Sequence, residues 1–302
     1  MSTAYPVPVT TNRFAALLGD RAPIFDGGYG WLLQERGLPA GDCAEHWNLQ
    51  RPEVIGGLHE EYAVAGASVL TTNTFGGTAP RLAMHGLEDQ VEQVNRAAAA
   101  IAREVADRHG ILVAGDLGPT GELFEPMGTL TADAAVALFA AQLRGLVQGG
   151  IDLVLVETMS DLAEARAAIA AAQQVCPELP IVATMSFDTN LRTMMGVRPA
   201  DAATELAAAG ADVVGANCGR GPAEMTVIAE QLLAARPEGV LVLTQSNAGL
   251  PQLEGAEFVY TVGPDELGAH ARSLRDAGVD LVGACCGSSP EHIAAIRAAV
   301  TA

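Results

Sequence analysis

Eight short apolar runs, each ending in small or polar residues, constrain the fold more than any other feature of this chain. They occupy 24–26, 69–73, 111–116, 153–157, 181–186, 213–218, 240–244 and 281–285. Their starts lie roughly 28 to 45 residues apart, the length of one strand plus one helix. The runs are near-continuously apolar rather than alternating, as parallel strands covered on both faces must be. The segments between them carry helical spacing, as in Val91, Val94, Ala98, Ile101 and Val105. Thr131 with Asp133, and Asp161, are placed to open helices, and Pro222 and Pro264 suit first turns. Four similar joints end a helix and begin a strand: Ala65-Gly66-Ala67-Ser68, Gly150-Ile151-Asp152, Gly210-Ala211-Asp212 and Gly278-Val279-Asp280. The expected fold is a single α/β domain, a (β/α)8 TIM-type barrel over 21–302, preceded by a flexible N-terminal segment at 1–20. An open doubly wound sheet is the alternative. It is disfavoured because no G-x-G-x-x-G opens a helix after the first run.

Composition narrows the partners. The chain has 302 residues, 49% hydrophobic and only 4% aromatic, with 33 glycines, which suits one sizeable core with close helix–sheet packing. Lys and Arg number 17 against 36 Asp and Glu, a formal charge of −19. Such a surface repels phosphate backbones and anionic lipid, so neither nucleic acid nor membrane is expected as a partner. No stretch is apolar enough to span a bilayer, and the N-terminus lacks the basic-then-apolar order of a signal peptide. Five cysteines do not make a closed disulfide set. A reduced, cytoplasmic protein is expected, with homo-oligomerisation left open.

In a barrel, chemistry gathers at the C-terminal ends of the strands. Those ends carry Asp26, Asn73, Asp116, Glu157, Ser186, Asn217, Cys218, Cys285 and Cys286. The last three thiols can converge over the mouth. Thiolates select zinc, copper(I) or iron–sulfur clusters, and three of them with one open position suit a catalytic Zn2+. The alternative is buried cysteine packing as a small hydrophobe, which is the reading for Cys43 and Cys176. Asp26 and Glu157 end apolar strands, where an unpaired carboxylate is costly. Either a substrate ammonium or an internal donor would satisfy them. The backbone at Gly27 and Gly28 can present N–H groups to a carboxylate. The six histidines show no ligand spacing, and His59, His85, His109, His270 and His292 read as surface residues of helices.

Taken in order, several motifs resemble one family over nearly the whole chain. They include Asp26-Gly27-Gly28-Tyr29-Gly30, Thr72-Asn73-Thr74-Phe75-Gly76, Gly118-Pro119-Thr120-Gly121-Glu122 and Val156-Glu157-Thr158. Gly215-Ala216-Asn217-Cys218 and Asn247-Ala248-Gly249 follow. The most specific is Gly283-Ala284-Cys285-Cys286-Gly287-Ser288-Ser289-Pro290-Glu291-His292. The chain resembles the zinc-dependent homocysteine S-methyltransferases, whose members include betaine-dependent enzymes and the homocysteine module of cobalamin-dependent methionine synthases. The likeness is nearest to short bacterial proteins of the betaine type.

The resemblance implies a methyltransferase of methionine biosynthesis on a (β/α)8 barrel, with Cys218, Cys285 and Cys286 holding Zn2+. It implies that Asp26 and Glu157 receive the homocysteine ammonium, that the amides around Gly27 and Gly28 receive its carboxylate, and that Asn217 belongs to the same site. The expected donor is glycine betaine or a related onium compound. Trp47, Phe75, Tyr29 and Trp31 are candidates to face its cation. Gly76 stands where the animal betaine enzymes have a second aromatic. The sequence as given stops at Ala302, without the folate and cobalamin domains of methionine synthase. The alternatives are therefore an S-methylmethionine-dependent enzyme or an acceptor subunit for a separate corrinoid protein. A closed pocket with Trp47 or Phe75 over the metal favours the onium donor. A wide mouth without aromatics favours docking.

Overall fold

A computed structural model describes residues 12–250, 252–254 and 257–302. Among the described residues nine strands form: β1 Val69–Thr71, β2 Leu112–Leu117, β3 Leu153–Met159, β4 Ile181–Met185, β5 Val213–Cys218, β6 Leu241–Ser246, β7 Gln252–Glu254, β8 Glu257–Val259 and β9 Leu281–Ala284. Seven of them make one parallel sheet in the order β1-β2-β3-β4-β5-β6-β9, with helices between successive strands. β7 and β8 form a separate antiparallel hairpin between β6 and the helix Pro264–Asp276, which the apolar runs do not foretell.

The first of the eight runs is not a strand. Ile24 bridges Val282 of β9 and Phe25 bridges Val69 of β1, both in parallel. These two residues link the two ends of the seven-stranded sheet. The other seven runs became strands within a few residues of their expected bounds. Thr131 and Asp161 cap their helices, accepting from the Ala134 and Ala163 amides at 3.2 and 2.8 Å. Pro222 and Pro264 open theirs.

Apolar packing splits into two layers. The outward faces of the strands pack on the helices, where Ala98, Ala99 and Ala102 keep the helix Val91–His109 close. The inward faces form a separate core of Phe25, Val69, Leu112, Ala114, Leu153, Leu155, Val182, Val213, Leu243 and Leu281. Because side chains alternate along a strand, the inward positions beyond this core are Asp116, Glu157, Thr184, Gln245 and, past Gly215 and Gly283, Asn217 and Cys285. The inner face of the sheet thus turns from apolar to polar toward the C-terminal ends of the strands.

The N-terminal segment departs from expectation. Within 1–20, Arg13–Leu18 is a helix capped by Asn12, whose side chain accepts from the Ala15 amide and donates to Asp212 and Gly239 oxygens. Arg13 pairs with Asp212 at 2.6 Å, and buried Phe14 stacks on Phe25 with ring centres 6.1 Å apart. Asp212 and Gly239 precede β5 and β6, so this helix covers the N-terminal end of the sheet. The apolar floor needs such a cover, which overrides the weak helical signal of six residues. Residues 1–11 lie outside the described residues. No helix among the described residues is long and apolar enough to cross a membrane.

Candidate metal centre and cavity

Cys218 closes β5, while Cys285 and Cys286 follow β9. Counting outward from Val213, strand alternation would point Cys218 away from the ring interior. Its φ of 64° reverses that, and Thr158 near the end of β3 does the same with φ 58°. A left-handed residue other than glycine is strained, and such strain collects where a side chain must be aimed. The Cys285 amide extends the ladder to Ser246 O at 2.9 Å. The Cys286 amide then leaves it and donates to Asn247 Oδ1 at 3.0 Å. Gly287 completes the turn at φ 77°, where a Cβ would stand 2.1 Å from the Tyr260 ring.

The three sulfurs lie within 4.8 Å of one another, with Cys218 and Cys286 at 3.6 Å. Tetrahedral zinc with Zn–S of about 2.3 Å needs S–S separations near 3.8 Å. The donor set therefore fits Zn2+ in number, chemistry and spacing. Hydrogen bonds from Cys218 and then Cys285 pull the Cys286 thiol down to about 4, while hydrogen bonds to Cys218 and Cys286 push the Cys285 thiol well above its usual range, so the three close sulfurs favour one negative charge rather than three. Cys43 and Cys176 are elsewhere and buried, in agreement with a packing role.

A cavity of about 310 Å³ opens over these thiols. Glu157, Asp116, Glu45 and Gln245 line it together with Tyr29, Trp31, Phe75 and Tyr260. No Lys, Arg or His is among its lining residues. Burial, then Cys218 and Asp26, push the Glu157 carboxyl to about 8. Asn217 ties the floor together. Its Oδ1 accepts from the Thr158 amide and Thr184 Oγ1 at 2.9 and 2.7 Å, and its Nδ2 donates to Thr158 Oγ1 and, at 3.8 Å, to Cys285 Sγ. It does not line the cavity, so it positions the residues that do.

The other expected residues divide. Gly27 and Gly28 line the cavity, but the Gly28 amide already donates to Ser288 Oγ at 3.0 Å. Phe75 lines it too, packed where a Gly118 Cβ would lie 2.6 Å from its ring. Asp26 sits just behind the wall. Its oxygens accept from Tyr29 Oη, the Thr71 amide and Thr71 Oγ1, all at 2.7 Å. Burial outweighs these bonds and raises its carboxyl to about 6. Trp47 is not at the cavity. It is buried in the outer core with the Arg51 guanidinium 4.7 Å from its ring centre. His59 and His292 are buried rather than on the surface. His59 Nδ1 meets Tyr29 Oη at 2.8 Å, and His292 caps its own helix through Ser289.

Residue types alone gave no role to Glu45, Gln245 or Tyr260. Glu45 precedes the ring's strands in a short helical turn, and Tyr260 follows the unforeseen hairpin. Asp116 stood in plain view as a strand end, without a partner to suggest its use.

A family model described as homocysteine S-methyltransferase matches residues 23–300. Methionine synthase of Mycobacterium tuberculosis (strain ATCC 25618 / H37Rv) is 33% identical over 300 residues, covering 94% of this chain and 25% of that protein. Methionine synthase of Mycobacterium leprae (strain TN) is 32% identical, with 94% and 24% covered. The chain thus spans about a quarter of the length of these curated relatives. Among solved structures, the metallated form of the homocysteine methyltransferase MmuM from Escherichia coli has a TM-score of 0.79 at 22% identity, covering 95% of this chain and 99% of that one. A methyltransferase from Methanosarcina mazei has a TM-score of 0.56 at 14% identity, covering 96% and 97%. At these identities the likeness concerns the fold.

Proposed function

Because the chain belongs to the homocysteine S-methyltransferase family, we propose that it makes methionine by transferring a methyl group to homocysteine from a small onium donor, glycine betaine or a related compound. One observation carries this reading: three convergent thiols share a cavity with four aromatic rings and several carboxylates, and with no basic side chain. The same reading takes the Ile24 and Phe25 bridges as the eighth stave of a closed (β/α)8 barrel.

Cys218, Cys285 and Cys286 would hold Zn2+, which would keep the homocysteine sulfur as a thiolate at neutral pH. Glu157 takes the substrate ammonium, with Asp26 behind it adding negative potential. The Gly27 segment takes the carboxylate through backbone N–H groups. Tyr29, Trp31, Phe75 and Tyr260 face the onium group and exclude water. In the transfer, a sulfur lone pair forms the S–CH3 bond as the C–N bond breaks, and its electron pair leaves with nitrogen as a neutral amine. A thiolate and a cation become two neutral groups. Water stabilises the separated charges more than a dry, aromatic cavity does, so burial favours the step. Alignment of sulfur, carbon and leaving group supplies much of the remaining acceleration.

The test is to incubate zinc-loaded protein with homocysteine and, separately, glycine betaine, S-methylmethionine, dimethylsulfoniopropionate and methylcobalamin. Methionine from one of the onium compounds is expected. Methionine from methylcobalamin alone, or from none of the four, sinks the onium reading.

A second reading has its own observation. Met84, Leu123, Met127, Met194 and Leu250 are five of the eight large hydrophobic side chains found exposed among the described residues. All five lie in connections that follow the C-terminal ends of β1, β2, β4 and β6. Exposed apolar side chains in the loops at that end of the strands suit docking of a separate methyl-carrying corrinoid protein.

A further inference from the structure

Asp116 occupies an unusual position. Its residue is 2% exposed, yet it lines the cavity, and its Oδ1 has no hydrogen-bond partner. Its backbone is fully engaged. The amide donates to Thr72 Oγ1 at 3.0 Å, and the carbonyl accepts from Thr74 Oγ1 at 2.8 Å and Gln142 Nε2 at 3.2 Å. The residue is therefore held firmly by its backbone while Oδ1 is buried without a hydrogen-bond partner. A buried carboxylate without a partner is costly, and such groups persist where something outside the chain completes them.

Position separates Asp116 from the thiols. β2 lies three strand positions from β5 in the sheet, and three from β9 by way of β1 and the Ile24–Phe25 bridges. Asp116 thus sits across the mouth from Cys218 and Cys285. Glu157, on the adjoining strand β3, lies between Asp116 and Cys218 along the sheet and is within reach of Asn217, which also touches Cys285. Near Asp116 instead are Phe75, packed on Gly118 two residues further along, and Glu45, which accepts from the Gly76 amide at 2.6 Å. An amino-acid acceptor bound at the thiols already has Glu157 for its single ammonium. Asp116, one strand farther from Cys218, is then a second carboxylate with no basic side chain in the cavity lining to balance it.

We propose that Asp116 is the counter-ion for the positive end of the methyl donor, so that the site prefers onium compounds of net positive charge over zwitterions. The proposal rests on the onium-donor reading above and narrows it, placing related onium compounds of net positive charge ahead of glycine betaine. Burial and the charges of Glu157, Glu45 and Asp26 push the Asp116 carboxyl well above its usual range. A cation against it removes that penalty, and the neighbouring rings add cation–π attraction. The carboxylate of a zwitterionic donor would find no basic side chain in the cavity wall and three carboxylates opposing it.

The experiment measures equilibrium binding to zinc-loaded protein by calorimetry and by fluorescence of Trp31, which lines the cavity. The probes are choline, its uncharged carbon isostere 3,3-dimethylbutan-1-ol, glycine betaine and homocysteine. Wild-type protein is expected to bind choline at least tenfold more tightly than the isostere or glycine betaine. Asp116→Asn should lower choline affinity about tenfold and leave the isostere and homocysteine unchanged. Equal wild-type affinities for choline and the isostere overturn the proposal, whether or not the variant folds. So does a D116N variant that loses homocysteine affinity instead, since Asp116 would then serve the acceptor. If charge discrimination holds but no onium compound yields methionine, the donor reading fails and the cation site remains.

Discussion

At the scale of single residues, the site depends on backbone conformation as much as on side-chain identity. Cys218 reaches its partners through a left-handed φ, and Gly287 lets the Cys285–Cys286 pair turn beneath Tyr260. Cys285→Ser removes one soft ligand of three. Metal analysis of protein purified under reducing conditions should find about one zinc per chain in the wild type and at least tenfold less in the variant; equal occupancy would show that the thiols are not the ligands. Asn217 acts indirectly, so Asn217→Ala should retain zinc but lower kcat/KM by roughly 10- to 100-fold, the usual effect of losing a residue that orients metal ligands. Steady-state kinetics beside metal analysis separates the two outcomes. The thiols were legible in the sequence because strand ends and paired cysteines are local signals. Trp47 was not, because a loop's sequence does not say which side of the loop faces the cavity. Asp116 was visible as a strand end, but the absence of a partner is a fact of three dimensions.

At the scale of elements, local apolarity and spacing foretold seven strands, and helix caps at Thr131 and Asp161 fell where expected. What escaped were short elements whose existence depends on neighbours. The helix Arg13–Leu18 is too short to hold by propensity alone. It forms because Phe14 fills the opening beneath Phe25 and Asn12 ties it to the chain near Asp212 and Gly239. Phe14→Ala should cost about 3 kcal/mol or more, the range for losing a fully buried aromatic. Urea unfolding reads the loss. At temperatures well below the melting transition, kcat should be unchanged, because Phe14 lies at the opposite end of the strands from the thiols. A fall in kcat as large as the fall in stability would contradict that separation. The β7–β8 hairpin escaped for a similar reason, since its three-residue strands carry no periodic pattern long enough to read.

At the scale of the whole molecule, buried titratable groups set the response to acid. Burial lowers His59 from 6.5 to about 3, so the folded chain refuses a proton that the unfolded chain accepts. Its contribution therefore falls as pH drops from 6.5 toward 3. Asp26 works the other way. With its carboxyl raised from 3.8 to about 6, the folded chain keeps a proton the unfolded chain releases, and stability falls as pH rises through that window. His59→Gln isolates the first effect. Between pH 7 and 4.5 the variant should lose ~2 kcal/mol less than wild type, on the scale of 1.36 kcal/mol per pKa unit. Urea midpoints at the two pH values measure this, and identical pH slopes would remove His59 as the cause.

The change from apolar to polar along the inner face of the ring has a further consequence. Lesions below that level, at Phe14, Leu112 or Leu243, should yield protein that is short-lived but competent while it lasts. Lesions above it, at Asp116, Asn217 or Cys285, should yield protein that endures and sits idle. A collection of variants sorted by abundance and by turnover should therefore fall into two groups, divided by height along the ring axis rather than by distance in sequence.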